Sequence, residues 1–329
     1  MANSLTRLLP NIGGASGRVR RLYVATVHSV LLYAAPVWSD KVGRNAHLGR
    51  QLAAAQRLIA NRAARAYQTV SHVGATTLAG IPPIHLISRS HARVYEQTRE
   101  IREGGGPVDW ARVKRMLRLQ AKAALLCEWE EYLANPQLGG RRVREAIQSI
   151  LGEWVERKGR GLTFHAAQVI TGHGCFVDYL CRIGKERTTR CHHCPEEADT
   201  AQHTLEFCPA WEEQRRVLRA SVGKNLSFPA IMATVAGVGA QAKAKWEAFI
   251  SFCGTVMLQK MIAEKIRRWK PPLPTTAGGA TGRRGRARDL SLRYGDGDVV
   301  EPETALPSLP RLTSGTIHEN TGGGRAPLR

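Results

Sequence analysis

Apolar residues recur at helical spacing along most of this chain, and almost nowhere do they alternate as a strand requires. From Arg18 to Val37 they are dense (Leu22, Val24, Val27, Val30, Leu31, Leu32, Tyr33), which predicts a largely buried helix stopped by Pro36. Leu48, Leu52, Ala55, Ile59, Ala63 and Ala66 form a second apolar stripe, with Arg50, Arg57 and Arg65 on another face. Further helices are expected over Pro83–Ile101, over Trp110–Leu133, and through Val143, Ile147, Ile150, Leu151 and Trp154 to a close near Gly159. Pro209 suits a first helical turn, so Trp211, Leu218 and Val222 read as one face of a helix ending at Gly223. The last helix is long, with Trp246, Phe249, Ile250, Cys253, Val256, Met257, Met261 and Glu264 in register. That stripe is a core face and not a cofactor pocket.

Punctuation divides the pattern. Gly104-Gly105-Gly106-Pro107 is the clearest linker, and from Pro271 onward ten Gly and seven Pro in 59 residues signal disorder. The expected division is a basic helical region (1–103), a helical connector (104–160), a Cys/His module (161–223), a long-helix region (224–270) and a disordered tail (271–329). The fold class is mainly α: a helical bundle with a small metal-binding module inserted.

Charge narrows the function. The 329 residues carry 48 Lys and Arg against 27 Asp and Glu, a net charge of +21. Residues 1–100 hold 13 of the basic and only 3 of the acidic residues. Such a balance favours a polyanionic partner. Arg18, Arg20, Arg21, Arg50, Arg57 and Arg65 are the expected phosphate contacts. No run of eighteen apolar residues appears, so no membrane span is expected, and no secretory leader is visible. With seven cysteines and neither signal, a reducing intracellular location is expected.

Cys191, Cys194, His203 and Cys208, spaced C-x2-C-x8-H-x4-C, are the chemically specific feature. A Cys-x2-Cys turn aims two thiolates at one ion, and His203 and Cys208 complete a tetrahedron. Zinc is the expected ion. Three thiolates and one imidazole leave no position for a reactive water, so its role would be structural. Arg190, His192 and His193 in the turn would face a nucleic acid, with Phe176 or Trp211 stacking if exposed. Cys175 and Cys181 are spare ligands at most, and His173 is either a turn residue or a phosphate contact. No nucleophile elbow or Gly-Lys-Ser/Thr phosphate loop is present.

Five ordered blocks then resemble one family: residues 8–14 with 20–23, 31–38, 66–71 with 78–84, 162–164 with 171–174 through 179–180 to 190–191, and 199–206 with 208–211. They are similar to the reverse transcriptase polyproteins of arthropod non-LTR retrotransposons that insert into ribosomal RNA genes. The likeness covers roughly residues 5–265. It implies a thumb-like helical region and a C-terminal CCHC zinc finger, with Cys191, Cys194, His203 and Cys208 as ligands. The polymerase of that family needs paired palm aspartates for two Mg²⁺ ions. This sequence has no Asp-Asp pair, and Tyr294-Gly295-Asp296-Gly297-Asp298 sits in the tail without flanking strand residues. The chain is therefore expected to lack palm and endonuclease and to be no enzyme by itself, with Met1 an internal methionine or gene-model start. Its partners would be RNA and DNA, with the palm and endonuclease parts of the parent polyprotein. No small-molecule substrate is expected, and integration would bring the chain to the nucleus. The alternatives are a free-standing host nucleic-acid-binding zinc-finger protein and a zinc-stabilised helical interaction module.

Overall fold

The computed structural model describes residues 9–157 and 161–268. The tail, with Arg283–Arg288 and Tyr294–Asp298, lies outside the described residues. Among the described residues there is no strand, and thirteen α-helices carry the fold. They are α1 (Gly17–Leu31), α2 (Ala35–Arg44), α3 (Ala46–Ala63), α4 (His72–Ala79), α5 (Ile84–Glu103), α6 (Trp110–Ala134) and α7 (Arg141–Ile147). There follow α8 (Leu151–Glu156), α9 (Phe164–Thr171), α10 (Val177–Arg182), α11 (Glu212–Val222), α12 (Phe228–Ala236) and α13 (Ala240–Arg268).

The predicted 18–37 helix is two helices, α1 and α2, that meet at 81°. Ala34 takes a left-handed conformation (φ 51°), and Pro36 begins the second helix instead of ending the first. A proline lacks only an N–H that the first helical turn would leave unbonded. Nor is this segment largely buried. Tyr23 and Val27 pack on Leu9 and Ile59, while Leu22, Val30, Tyr33 and Val37 are exposed. No single helix among the described residues is long and apolar enough to cross a membrane.

The core does not stop at the expected module boundaries. One apolar cluster runs from Ala60 through Trp129, Trp154, Val169 and Phe176 to Phe249 and Met257. Helix α4 crosses α7 closely enough that a Cβ on Gly140 (φ 77°) would lie 2.8 Å from the Gly74 backbone. Trp154 of α8 donates its indole N–H to Thr77 O (3.0 Å) and stacks edge-on against Trp246 of α13. The single amphipathic helix expected over 143–159 is α7, a 3₁₀ turn (Gln148–Ile150) and α8 in succession.

Three of the expected phosphate contacts act inside the fold. Arg20 is 1% exposed and donates to Pro10 O (2.5 Å), Arg62 O (2.5 Å) and Ala15 O (3.1 Å). Arg65 donates to the carbonyls of Asn11, Gly13 and Ala15. Arg57 donates to those of Val70 and Gln68. Each guanidinium, a planar fork of five donors, fastens an irregular segment by bonding to backbone carbonyls. Arg20 therefore offers no surface to a phosphate, while Arg57 has two of its five donors committed and Arg65 makes three such bonds.

A buried amide organises the junction of α3, α4 and α5. Gln56 is fully buried, donates to Pro82 O (2.8 Å), and accepts from Ile84 N (2.8 Å) and His72 Nε2 (2.9 Å). Burial, with His85 and Arg57 nearby, lowers the His72 pKa to about 4. His173 is likewise lowered to about 4, by burial and then by Arg182 and Arg57. Both are neutral in the fold, whereas an unfolded histidine titrates near 6.5. Between those values the unfolded chain binds more protons, so stability falls as pH drops from about 6.5 toward 4. The melting temperature is expected to fall by several degrees between about pH 7 and pH 5, and less in His72→Gln. An equal fall in that variant would show that His72 does not contribute.

Candidate metal centre

After α10 the chain leaves helical structure for residues 183–200 and closes a loop on itself. Asp199 N donates to Thr189 O (2.9 Å), Thr189 Oγ1 to Glu197 O (2.8 Å) and Cys191 N to Glu196 O (2.9 Å). The Cys191-x2-Cys194 turn lies between these bonds. Thr200 then caps a helical start by accepting from His203 N (3.0 Å). The chain continues as a π-helical turn, His203–Phe207, with Cys208 N donating to His203 O at 2.8 Å. In an α-helix residues five apart would point about 140° away from each other. The wider π turn brings His203 and Cys208 to one side, where both face the cysteine turn.

The four ligand atoms lie within 4.8 Å of one another. Cys191 Sγ is 4.0 Å from Cys208 Sγ, and Cys194 Sγ is 3.3 Å from His203 Nε2. Metal–sulfur bonds of about 2.3 Å put thiolates roughly 3.8 Å apart in a tetrahedron, so the donor set fits a single ion. No other cluster of this kind occurs among the described residues. Cys175 is not in it: its thiol meets Glu264, and burial pushes its pKa up.

The electrostatics suit a cation. The neighbouring Cys208 thiol holds Cys191 far below the ordinary thiol range, to about 4. The His193 N–H, 3.4 Å from Cys191 Sγ, works in the same direction against burial. The same contact pushes Cys208 up. Thiolate is the metal-binding form, and one is favoured here already.

Behind the ligands stands a buried ion pair. Lys260 of α13 and Asp199 are each 1% exposed at the side chain, with Nζ 2.7 and 2.8 Å from the two carboxylate oxygens. Lys260 also donates to Thr204 Oγ1 (3.1 Å), while Asp199 accepts from Val177 N (3.1 Å) and Thr204 Oγ1 (3.2 Å). Arg215 of α11, 1% exposed, donates to Cys208 O (2.5 Å) and Thr204 O (3.5 Å). His193 packs on Trp211, ring centroids 4.9 Å apart.

Phe176 and Trp211 are buried, so neither is available to stack on a base. Phe207 is the exposed aromatic beside the site, at 62%. Arg190 and His192 are exposed, and His192 lies 3.6 Å from Glu186. Arg18, Arg21 and Arg50 are exposed as well, on α1 and α3. His173 shares Thr69 Oγ1 with Tyr179 (3.0 and 2.7 Å), which occupies it within the fold.

Two known proteins match this chain over more than half of its length. It is 27% identical over 248 residues to a 115 kDa protein in the type-1 retrotransposable element R1DM of Drosophila melanogaster. It is 28% identical over 221 residues to a retrovirus-related Pol polyprotein from the type-1 retrotransposable element R1 4 of Nasonia vitripennis. Its homologues are R1 retrotransposable-element polyproteins. The matches take in 70% and 63% of this chain, but only 23% of the first relative and 53% of the second. No protein-family model and no solved structure matches.

Proposed function

We propose that this chain is the nucleic-acid-gripping part of an R1-type retrotransposon polyprotein, a thumb-like helical body whose CCHC module is held by one structural zinc ion. The observation that carries the reading is the Cys191, Cys194, His203 and Cys208 donor set, at single-ion spacing, in a +21 chain related to retroelement polyproteins. Zinc fits three sulfurs and one imidazole at tetrahedral separation better than the harder divalent ions. Its contribution is folding energy. It fixes the 183–208 loop so that exposed Arg190 and His192 are presented together.

Polymerisation belongs to other parts of the polyprotein in this reading, and this chain holds template RNA and target DNA in the nucleus. Exposed Arg18, Arg21, Arg50 and Arg190 would neutralise phosphates with little base preference. A titration of the full chain with RNA and DNA should give a salt slope of about −4 or steeper, hence a loss of roughly 100-fold or more between about 50 and 200 mM salt. Affinity independent of salt, or no binding to either polymer, would defeat the proposal.

A further inference from the structure

Helix α6 changes character along a single face. Arg115, Lys122 and Trp129 are seven residues apart and share one line of the helix, with Arg118 one turn before Lys122 and Leu133 one turn after Trp129. In the C-terminal half that line is buried, with Trp129 and Leu133 at 0% exposure. In the N-terminal half it is exposed and basic. Along this line the helix overhangs the body, while Leu117 on its opposite side stays buried, and the basic line continues the direction in which the helix packs.

A cleft of about 640 Å³ lies at the corner of the overhang, lined by Lys122, Val155, Glu156, Val238, Gly239, Ala240 and Lys243. It joins α6 to α8 and to the start of α13, a 29-residue helix whose first-turn N–H groups add positive potential. Glu156 is the one acid in the lining, and it pairs with Lys122 at 2.8 Å, both partners more than half exposed.

A merely solvated basic face carries acids among its bases. Helix α5 has Arg99 on Glu103, and α11 has Arg216 on Glu213. Helix α6 holds Arg112, Lys114, Arg115, Arg118 and Lys122 with no acid anywhere between Ala111 and Cys127. Among the described residues no ion pair involves Arg112, Lys114, Arg115 or Arg118. Nor is there an aromatic between Trp110 and Trp129 of this helix on which an unpaired base could stack.

We infer that the α6 overhang and its corner cleft form a cradle for the phosphate backbone of a nucleic-acid duplex. Arg112 to Lys122 spans roughly 15 Å of helix, about four phosphates of one strand at 3.4 Å axial spacing. Arg115, Arg118 and Lys122 contact that strand, and Lys243 with the α13 start closes the corner. This rests on the nucleic-acid reading above and adds the surface and the double-stranded form of the ligand.

The test uses the full chain, a DNA duplex and an RNA duplex of arbitrary sequence, and an unpaired strand as comparison. Arg115→Gln/Arg118→Gln/Lys122→Gln is set against Lys41→Gln/Arg44→Gln/Lys265→Gln, which removes equal charge from exposed sites elsewhere. Melting curves confirm that both variants fold. The cradle variant should bind duplex about 100-fold more weakly, with a salt slope shallower by about 2.7, while the control changes less than a few-fold. Equal losses in the two variants, or a cradle loss confined to the unpaired strand, would overturn the cradle and leave the nucleic-acid reading standing. Wild-type protein that binds none of the three probes would overturn both.

Discussion

Cys191→Ser/Cys194→Ser is expected to abolish metal binding and to lower the melting temperature by roughly 10 °C or more, at about 2–4 °C per kcal/mol for a chain of this size. Residues 183–208 explain why the loss is large. The loop is closed by a few backbone bonds, and Cys191, His203 and Cys208 are buried within it beside Asp199 and Thr204. Removing two ligands leaves Cys208 and His203 buried with nothing to bind, and the free energy of the ion is lost from folding. A chelator should shift the wild-type melt toward that of the variant and leave the variant unchanged. Metal analysis should return one zinc per wild-type chain. Cys175→Ser should keep its metal, since that thiol faces Glu264. Full metal content and an unchanged melt in the double cysteine variant would remove the ion from the account.

The long helices were legible because one face of each is apolar and the other is wet. Helices α3, α5, α6 and α13 fall close to where the periodicity puts them. Helix α4 was not legible: His72–Ala79 is buried nearly all round, from Val73 to Leu78, and a helix without a polar face has no period to read. Phe164–Thr171 escaped for the same reason. That Cys191, Cys194, His203 and Cys208 come together could be read from spacing alone, because four donors within eighteen residues are rarely accidental. The arginines could not be sorted. Arg18, Arg20 and Arg21 are alike in sequence, yet Arg20 is inside and its neighbours outside, because carbonyls of Pro10, Ala15 and Arg62 converge on that one position. Lys260 did carry a signal. It falls on the same stripe as Val256 and Met257, and a lysine on a core face requires a buried acid.

That acid is Asp199, and the second large effect follows from separating the pair. Lys260→Met is expected to destabilise the chain by about 3–5 kcal/mol, because it leaves a carboxylate charged and buried. Val177 N–H and the Thr204 hydroxyl would still donate to Asp199, but neither supplies a compensating charge. The damage should reach the metal centre, since Asp199 lies four residues before His203 and Thr204 stands inside the π turn. Metal affinity should therefore fall in Lys260→Met even though no ligand is touched, as happens when groups that orient ligands are lost. Adding Asp199→Asn removes the stranded charge and retains an acceptor for Val177 N–H. The double variant should recover a substantial part of the lost stability, a coupling that a thermodynamic cycle of melts can measure. Additive losses in that cycle would mean that the pair is not a unit, and that α13 and the metal loop are joined by apolar packing alone.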